Sequence, residues 1–362
     1  LLEKVRAGEL PADESALKKA ALEAFIADPI YYLVPSEERE THERTMSGQG
    51  SGFFVTPDGY CVTNAHVVSA DQDELKKQFV MSVLSDLVDK TVSQLKQAFP
   101  EEMTDDVIEK LKVATVKWYV EYMRLESLTT EYLVLTGVAV PGKGAEKKGM
   151  KAELVTKGDM DASKDVAILK VEGKNLPTLP IGDDSTLKTG DPIHCIGYPA
   201  AATFQPWADE AATIQATCTS GSMSARKTWS GGVEVIQTDA AITHGNSGGP
   251  ALDKNGNVIG LTTWGATAEQ QTAQGDVVQT EVQGMNFLVP ISVVKQFLDR
   301  SNVKPQVSLV TELYRKAVHK MNQQHFKSAL KLLSQINALY PGSPYTEEYI
   351  SAAQKGISEG KD

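Results

Sequence analysis

The sequence predicts a mainly β core with helical segments attached to it. Short runs of β-branched or alternating apolar residues, separated by Gly, Pro, Asp and Asn, are typical of antiparallel strands. Such runs lie at 51–68, 164–171, 192–198, 212–219, 233–239 and 257–264. Two other parts of the chain place apolar residues three and four positions apart, which predicts helices there.

A glycine-rich run sets Ser247 among small residues that leave its hydroxyl and the neighbouring amides open. Such a run alone is most often a surface loop. A nucleophilic serine needs an imidazole to take its proton, and the imidazole needs a buried carboxylate to fix its tautomer. His66 and Asp165 each lie at the edge of a strand-like run, and the three residues follow one another along the chain in the order His, Asp, Ser. We therefore predict that His66, Asp165 and Ser247 form a catalytic triad.

The turn around the serine also predicts an oxyanion hole. Negative charge develops on the attacked carbonyl oxygen, and backbone N–H groups of a tight turn can stabilise it. Gly245 has no Cβ and permits the close approach that such a turn requires. We assign the hole to Gly245, Asn246 and Ser247.

Several separate segments between residues 46 and 300 resemble the HtrA/Deg family of trypsin-like serine proteases. They are the runs at 48–68, 163–171, 181–199, 237–250 and 258–263. The resemblance implies two antiparallel six-stranded barrels with the active site in the cleft between them. His66 and Asp165 would come from the first barrel, and Ser247 from the second. The implied activity is a serine endopeptidase that cleaves unfolded or extended polypeptides through an acyl-enzyme, with no cofactor.

The resemblance also suggests residues that bind the substrate. Ala241 occupies the position at the base of the primary pocket, so we expect cleavage after Val, Ala or Leu. Thr263, Trp264 and Gly265 resemble the strand that pairs with the substrate backbone. Trp264 is equally explained as a core aromatic residue. His244 replaces the proline usual in the family, and it either contacts substrate or faces solvent.

Asn246 bears on how activity is controlled. Proteases activated by zymogen cleavage use an aspartate before the serine to hold the new ammonium terminus, and an amide lacks that charge. No zymogen step is expected. In HtrA-like proteins the control lies in loop ordering and oligomerisation, so the resemblance implies a homo-oligomer, with a trimer as the state it suggests.

The segment between His66 and Asp165 is long and helical in character. Apolar spacing predicts one helix over 73–99 and a second from Thr104, an N-cap residue, to about Leu125. This insertion, about 72–126, is either inert or an element that gates the cleft or joins subunits. The predicted domains are a helical extension at 1–45, the protease domain at 46–300 and a helical segment at 301–362.

The C-terminal segment resembles the second half of a tetratricopeptide repeat, in the place where the family usually has a PDZ domain. The matching positions are Leu313, Ala317, Phe326, Ala329, Leu333 and Pro341. A single repeat cannot bury its apolar face alone. We therefore expect these helices to pack on the protease, on residues 13–27 or on another subunit, and to offer a site for a partner protein.

Composition limits the remaining possibilities. The 362 residues carry 47 acidic and 36 basic side chains, for a net charge of -11, which disfavours nucleic acid as a partner. No run approaches eighteen apolar residues, so no membrane-spanning helix is predicted. The cysteines lack the spacing of a zinc site or a disulfide framework, so no metal is predicted. Cys61, Cys195 and Cys218 are expected as buried thiols, although one pairing among them stays open.

Two functional hypotheses remain. The first is the endopeptidase in protein quality control or regulated proteolysis, with an extracytoplasmic location suggested by the family. The second is a polypeptide-binding chaperone or scaffold in which cleavage is latent or incidental.

Overall fold

The computed structural model describes residues 7, 13–69, 72–140, 144–159, 164–203, 215–229, 232–271, 277–343 and 345–361. Contacts divide the chain into two compact units. One comprises Leu1–Ser47 with Ala70–Thr130, and the other comprises Gly48–Ser69 with Glu131–Asp362. The predicted strand run at 212–219 and the motif beginning at 163 lie partly outside the described residues.

The first unit is helical. It contains α1 (Glu14–Ala27), α2 (Pro29–Tyr32), α4 (Gln72–Ala98) and α5 (Asp105–Tyr122). Its core is formed by Leu22 of α1, by Leu84, Val88 and Val92 of α4, and by Leu111 of α5. The two predicted insertion helices are confirmed, with Thr104 accepting from Val107 N as the N-cap. Helix α1 packs on α5, so residues 13–27 pack with the insertion helices.

The second unit begins with an antiparallel sheet. Its strands are β1 (Phe53–Phe54), β2 (Tyr60–Thr63), β3 (Tyr132–Val140), β4 (Gly144–Lys157) and β5 (Ala167–Val171), and helix α3 (Ala65–Val68) follows β2. The sheet order is β1-β2-β5-β4-β3. Within the described residues this five-stranded sheet is open, so the predicted first six-stranded barrel is not confirmed. The residue Ser51 before β1 bonds to the serine turn and not to this sheet: its N–H donates to Ser247 O (2.7 Å).

A closed six-stranded barrel follows, as predicted for the second barrel. Its strands are β6 (Pro192–Gly197), β7 (Thr217–Thr228), β8 (Glu234–Thr238), β9 (Pro250–Leu252), β10 (Val258–Gln271) and β11 (Val277–Pro290). Their order around the barrel is β10-β11-β8-β7-β6-β9. Helix α6 (Ala200–Thr203) lies between β6 and β7. Ile193, Ile236, Ile259 and Leu288 are among the side chains that fill its core.

The sheet and the barrel share one apolar core, and this fixes their docking. Val62 and Ile168 of the sheet pack in the same cluster as Leu261 and Val289 of the barrel. Helix α7 (Ile291–Arg300) closes the cluster with one strongly apolar face, which includes Phe297. Burying that face against both layers holds the sheet and the barrel in one arrangement.

The C-terminal segment forms three helices, α8 (Leu309–Asn322), α9 (Phe326–Leu339) and α10 (Thr346–Ser358). They pack on the protease, the first of the three predicted possibilities. Thr311 Oγ1 donates to Thr178 O (2.9 Å), and Asn175 Nδ2 donates to Leu339 O (3.2 Å). Tyr340 packs against the core of the first sheet. The likeness to a tetratricopeptide repeat stays a prediction.

All three cysteines are free thiols. Cys61 and Cys195 are buried, but Cys218 is exposed. The prediction that all three thiols are buried is therefore wrong for Cys218. Cys218 in β7 pairs with Ile196 in β6, whereas Cys195 pairs with Thr219. Because side chains alternate along a strand, Cys218 and Cys195 lie on opposite faces of the barrel sheet.

Candidate active site

His66 lies in α3, a four-residue helix that directly follows β2. Its side chain is 31% exposed, so one edge of the ring reaches the surface. The preceding Asn64 is fully buried, and its Nδ2 donates to Asp165 O (2.6 Å). This bond ties the start of the histidine helix to the segment that carries the aspartate.

Asp165 is completely buried beside that helix. Its Oδ1 accepts from His66 N (2.9 Å), and its Oδ2 lies 2.7 Å from His66 Nδ1. Thr263 Oγ1 donates to the same Oδ2 (2.6 Å). A carboxylate in this position makes Nδ1 the protonated ring nitrogen, which leaves Nε2 free to accept a proton.

The pKa of Asp165 explains why a buried carboxyl group stays ionised. Burial raises the pKa, but the hydrogen bonds and charge of His66 and the hydrogen bond from Thr263 outweigh burial. The net result is a pKa below the usual value for aspartate. The group therefore remains an acceptor at neutral pH.

Ser247 stands in the tight turn that the glycine pattern predicts. Gly245 and Gly248 have φ values of +98° and +87°, which L-residues with a side chain rarely adopt. A Cβ at Gly245 would also collide with the backbone of Tyr198, and a Cβ at Gly248 would collide with Ser51. The Ser247 hydroxyl donates to Thr263 O (2.9 Å), and among the described residues no hydrogen bond joins it to His66.

Two amides of this turn have no acceptor among the described residues. None of the described residues accepts a hydrogen bond from Gly245 N or Ser247 N. The carbonyl groups of the same two peptide units are held from behind: His244 O accepts from Ala200 N (2.7 Å), and Asn246 O accepts from Gly249 N (2.9 Å) and from Thr262 Oγ1. Both N–H groups are thereby fixed in orientation.

The amide of Asn246 differs from the prediction. It donates to Thr243 O (3.1 Å), so it is already paired and does not contribute to the hole. The cause is the tight turn, which points successive N–H groups in different directions. The oxyanion hole stays a prediction, now for Gly245 and Ser247 without Asn246.

Ser51 is a further residue of the site, and its role was missed by sequence reasoning. Its hydroxyl donates to Gly245 O (2.7 Å) and accepts from Tyr198 N (2.9 Å), and its carbonyl accepts from Thr63 Oγ1 (2.7 Å). The segment before β1 therefore supports the serine turn from the first sheet. Its place in the run Gly50-Ser51-Gly52 was the available signal.

The predicted substrate-binding residues lie in two places. Ala241 and His244 are exposed on the segment before the serine turn, and Ala241 O accepts from Thr219 Oγ1 (2.7 Å). Thr263, Trp264 and Gly265 lie in β10, where Thr263 contacts both Asp165 and Ser247. That double contact was not foreseen, because Thr263 was considered only for its backbone.

The arrangement can support acyl transfer. It provides a hydroxyl nucleophile, an imidazole with a free Nε2, an ionised carboxylate behind the imidazole and two fixed N–H donors. The part of the chain that the structure describes contains no cluster of His, Cys, Asp and Glu suited to a metal ion. The described helices include none long and apolar enough to cross a membrane.

Comparison with known proteins agrees with this geometry. The family model described as a trypsin-like peptidase domain matches residues 124–261, which contain Asp165 and Ser247. A probable periplasmic serine endoprotease DegP-like from Pseudomonas putida is 28% identical over 74% of this chain and 37% of its own length. These matches support an HtrA/DegP-like family of trypsin-like serine proteases.

Two further proteins show partial similarity. The mitochondrial serine protease HTRA2 of Drosophila willistoni is 32% identical over 40% of this chain and 28% of its own length. The crystal structure of the serine endoprotease from Yersinia pestis shares 20% identity, with a TM-score of 0.40, over 72% of this chain and 60% of that one. The chain spans little more than a third of the length of the DegP-like relatives that it matches.

Proposed function

We propose that this protein is a serine endopeptidase, with His66, Asp165 and Ser247 as its catalytic triad. The observation that carries the proposal is the buried, ionised Asp165, which accepts two hydrogen bonds from His66 and one from Thr263. A carboxylate held this way fixes the tautomer that leaves Nε2 as a base. The match to a trypsin-like peptidase domain supports the same conclusion.

The proposed reaction has two halves. The Ser247 hydroxyl turns from Thr263 O towards His66, Nε2 takes its proton, and Oγ attacks the carbonyl carbon of the substrate. Gly245 N and Ser247 N donate to the resulting oxyanion. His66 then protonates the leaving amine, the C–N bond breaks and an acyl-enzyme forms. Water releases the acyl group by the reverse sequence of proton transfers.

We infer an extended polypeptide as the substrate. The exposed Ala241 carries no charge that would select Lys or Arg, which supports cleavage after Val, Ala or Leu. The relatives are named as a periplasmic endoprotease and a mitochondrial protease, and the first name favours an extracytoplasmic location for this chain too. We further propose a role in protein quality control or regulated proteolysis.

The helical unit and the C-terminal helices are proposed as contact sites for other chains, including further copies in a homo-oligomer. Helix α5 leaves Val113 and Val120 more than half exposed. Deleting residues 72–126 and measuring mass by light scattering tests this role. A mass per particle that falls to one chain supports subunit joining, whereas an unchanged mass excludes it.

Peptide hydrolysis tests the activity itself. An unfolded protein is incubated with wild type and with His66→Ala, and the products are sequenced by mass spectrometry. We expect new termini after Val, Ala or Leu with wild type only. Cleavage that persists in His66→Ala would refute the triad, and binding without cleavage by wild type would favour the chaperone hypothesis.

A further inference from the structure

Three tyrosines and a glutamate gather at one surface of the C-terminal helices. A cleft of about 280 Å³, here called the tyrosine cleft, is lined by Tyr345, Glu348, Tyr349 and Ala352. The ring of Tyr349 lies 6.0 Å from the ring of Tyr314 in α8, at an interplanar angle of 83°. Tyr345 and Glu348 are exposed, whereas Tyr314 and Tyr349 are half-buried. Aromatic rings therefore form the walls, and the cleft opens to solvent.

The backbone of Tyr345 is unusual for an aromatic residue. Its φ value is +57°, in the left-handed region that glycine and asparagine adopt more readily. Tyr345 directly precedes α10, and a glycine there would fit the same turn without steric cost. Residues held in this region cluster at ligand clamps, switches and active sites. The position therefore points to a role for the ring itself, which is 42% exposed.

The tyrosine cleft contains a carboxylate that no described cation neutralises. The ion pairs near the end of α10 involve Glu359, and no described residue forms one with Glu348. Burial raises the pKa of Tyr314, and Tyr349, Tyr345 and Glu348 raise it further because their negative charges would repel a phenolate. These four acidic groups therefore lie close together.

This combination of groups suits a cationic side chain. The faces of aromatic rings attract an ammonium or guanidinium group, and the attraction grows where the cation loses part of its water. A carboxylate adds a charged partner for the same group. Phosphate and carboxylate ligands would be repelled, and a purely apolar ligand would leave Glu348 unused. Lys and Arg are therefore the matching side chains.

Contacts place the C-terminal helices near the helix that carries His66. Tyr340, at the end of α9, packs both against the core of the C-terminal helices and against the sheet core that includes Val68 of α3. Helix α3 also contains His66. Burial raises the pKa of Tyr198, and Tyr345 raises it further, so the two phenol groups lie near each other. The tyrosine cleft thus borders the candidate active site.

Tyr198 lies at one end of the serine turn, and this decides which part of a substrate meets the cleft. A Cβ on Gly245 would collide with Tyr198 O, so this segment packs against the beginning of the turn. The N-terminal part of a substrate is expected to pair with β10 from Thr263 onward, beside Ser247. The C-terminal part is then left on the side of Tyr198.

We propose that Tyr314, Tyr345, Tyr349 and Glu348 bind a Lys or Arg side chain of the polypeptide substrate, on the C-terminal side of the scissile bond. The rings supply cation–π attraction, and Glu348 supplies the opposite charge. The C-terminal helices thereby select substrates in addition to the primary pocket. This inference rests on the proposed endopeptidase function.

A peptide series tests the site. Peptides with Val before the scissile bond carry a single Lys, or the uncharged norleucine of similar shape, at one of the second to sixth positions after the bond. We expect wild type to prefer Lys by about fivefold in kcat/KM at one of these positions. Glu348→Gln and Tyr345→Ala should reduce that preference below about twofold, and Tyr345→Phe should keep most of it because the ring remains.

Glu347→Gln is the matched control. It makes the same change of charge in the same turn of α10, but Glu347 Oε1 accepts from Asn337 Nδ2 (3.0 Å) and does not line the cleft. This variant should keep the preference for Lys. Equal melting temperatures and equal rates of fluorophosphonate labelling check that each variant retains its fold and its active site. Where Tyr345→Ala lowers the melting temperature, Glu348→Gln decides.

Three results would overturn the site while leaving the endopeptidase intact. The first is equal kcat/KM for Lys and norleucine peptides in wild type. The second is a preference for Lys that is unchanged in Glu348→Gln. The third is an equal loss of preference in Glu347→Gln and Glu348→Gln, which would assign the effect to the overall charge of this surface.

If wild type hydrolyses no peptide, the proposed function fails, and the site is decided by binding. Fluorescence anisotropy with Ser247→Ala then measures the affinity for the same labelled peptides. Tighter binding of one Lys peptide, lost in Ser247→Ala combined with Glu348→Gln, supports the site. Equal binding of the Lys and norleucine peptides overturns it.

Discussion

The hydroxyl of Ser247 donates to the carbonyl oxygen of Thr263 at 2.9 Å, and this contact describes the resting site. The nucleophile is therefore hydrogen-bonded to β10, the strand that the substrate is proposed to join. A substrate N–H that takes over Thr263 O would release the hydroxyl to turn towards His66. Substrate binding and activation of the serine would then be linked through one acceptor.

The first prediction follows from this shared acceptor. N-methylation of the residue whose carbonyl is attacked removes the N–H that would bind Thr263 O. We expect kcat/KM to fall roughly tenfold or more, because the substrate loses its hydrogen bond to Thr263 O and can no longer displace the Ser247 hydroxyl from it. N-methylation one residue farther from the bond is the control. Equal losses with both peptides would contradict the shared role of Thr263.

The second prediction concerns Thr263 and the charge on Asp165. Thr263→Val removes a donor to Asp165 and should lower the free energy of unfolding by about 2 kcal/mol at pH 7. The native pKa of Asp165 lies below its unfolded value, so this stabilisation is present above about pH 4 and is lost as pH falls through the native pKa. Urea unfolding from pH 7 to 3 should show the gap between wild type and variant narrowing.

Thr263→Ser keeps the hydroxyl and serves as the control for this prediction. It should retain most of the stability at pH 7. A gap between wild type and Thr263→Val that stays constant down to pH 3 would show that packing, and not the hydrogen bond to Asp165, causes the loss.

The third prediction concerns Ala200, whose N–H holds His244 O and so orients the N–H of Gly245. Ala200 is the first residue of α6, a position where proline fits a helix and removes only the N–H. Ala200→Pro should lower kcat about a hundredfold with little change in KM, because the oxyanion donor is no longer fixed. Ala200→Gly retains the N–H and should stay within about threefold of wild type.

Steady-state kinetics with one peptide substrate separates these two variants. If Ala200→Pro and Ala200→Gly had the same kcat, the amide of Ala200 would have no part in holding the serine turn.

The fourth prediction concerns the thiols. Burial raises the pKa of Cys61 and of Cys195 to about 12, whereas Cys218 is exposed. A thiol reagent at pH 8 should modify Cys218 alone in the native protein and all three cysteines in urea. Peptide mapping by mass spectrometry identifies the sites. Rapid modification of Cys61 in the native protein would contradict the burial in the first sheet.

Much of the site was predictable because its chemistry depends on residue types in short motifs. His66, Asp165 and Ser247 each stand in a local sequence pattern, and the glycines Gly245 and Gly248 indicate a turn with positive φ values. The double role of Thr263 was not predictable, because it depends on contacts with residues that are 98 and 16 positions away in the chain. The paired amide of Asn246 likewise depends on the path of one turn.

The fold was likewise predictable where it depends on local sequence and not where it depends on contacts between distant residues. Periodicity predicts the insertion helices well, since helical spacing is a local property. It cannot tell that α1 packs on α5, because several apolar faces compete for the same partners. Alternation also predicts strands without saying whether their edges meet, so the closed first barrel was expected from the family resemblance alone, whereas the described strands form an open five-stranded sheet. Exposure of Cys218 was missed because its face of β7 cannot be chosen from alternation alone.

The central claim is that Ser247 is a nucleophile activated by His66, and covalent labelling tests it most directly. A fluorophosphonate is incubated with wild type, Ser247→Ala and His66→Ala, and the adduct is located by mass spectrometry. The account predicts one adduct, on Ser247 of wild type, and none on either variant. Peptide turnover should fall by about six orders of magnitude in Ser247→Ala. Labelling of Ser247→Ala at the rate of wild type, or turnover within tenfold of wild type, would contradict the claim.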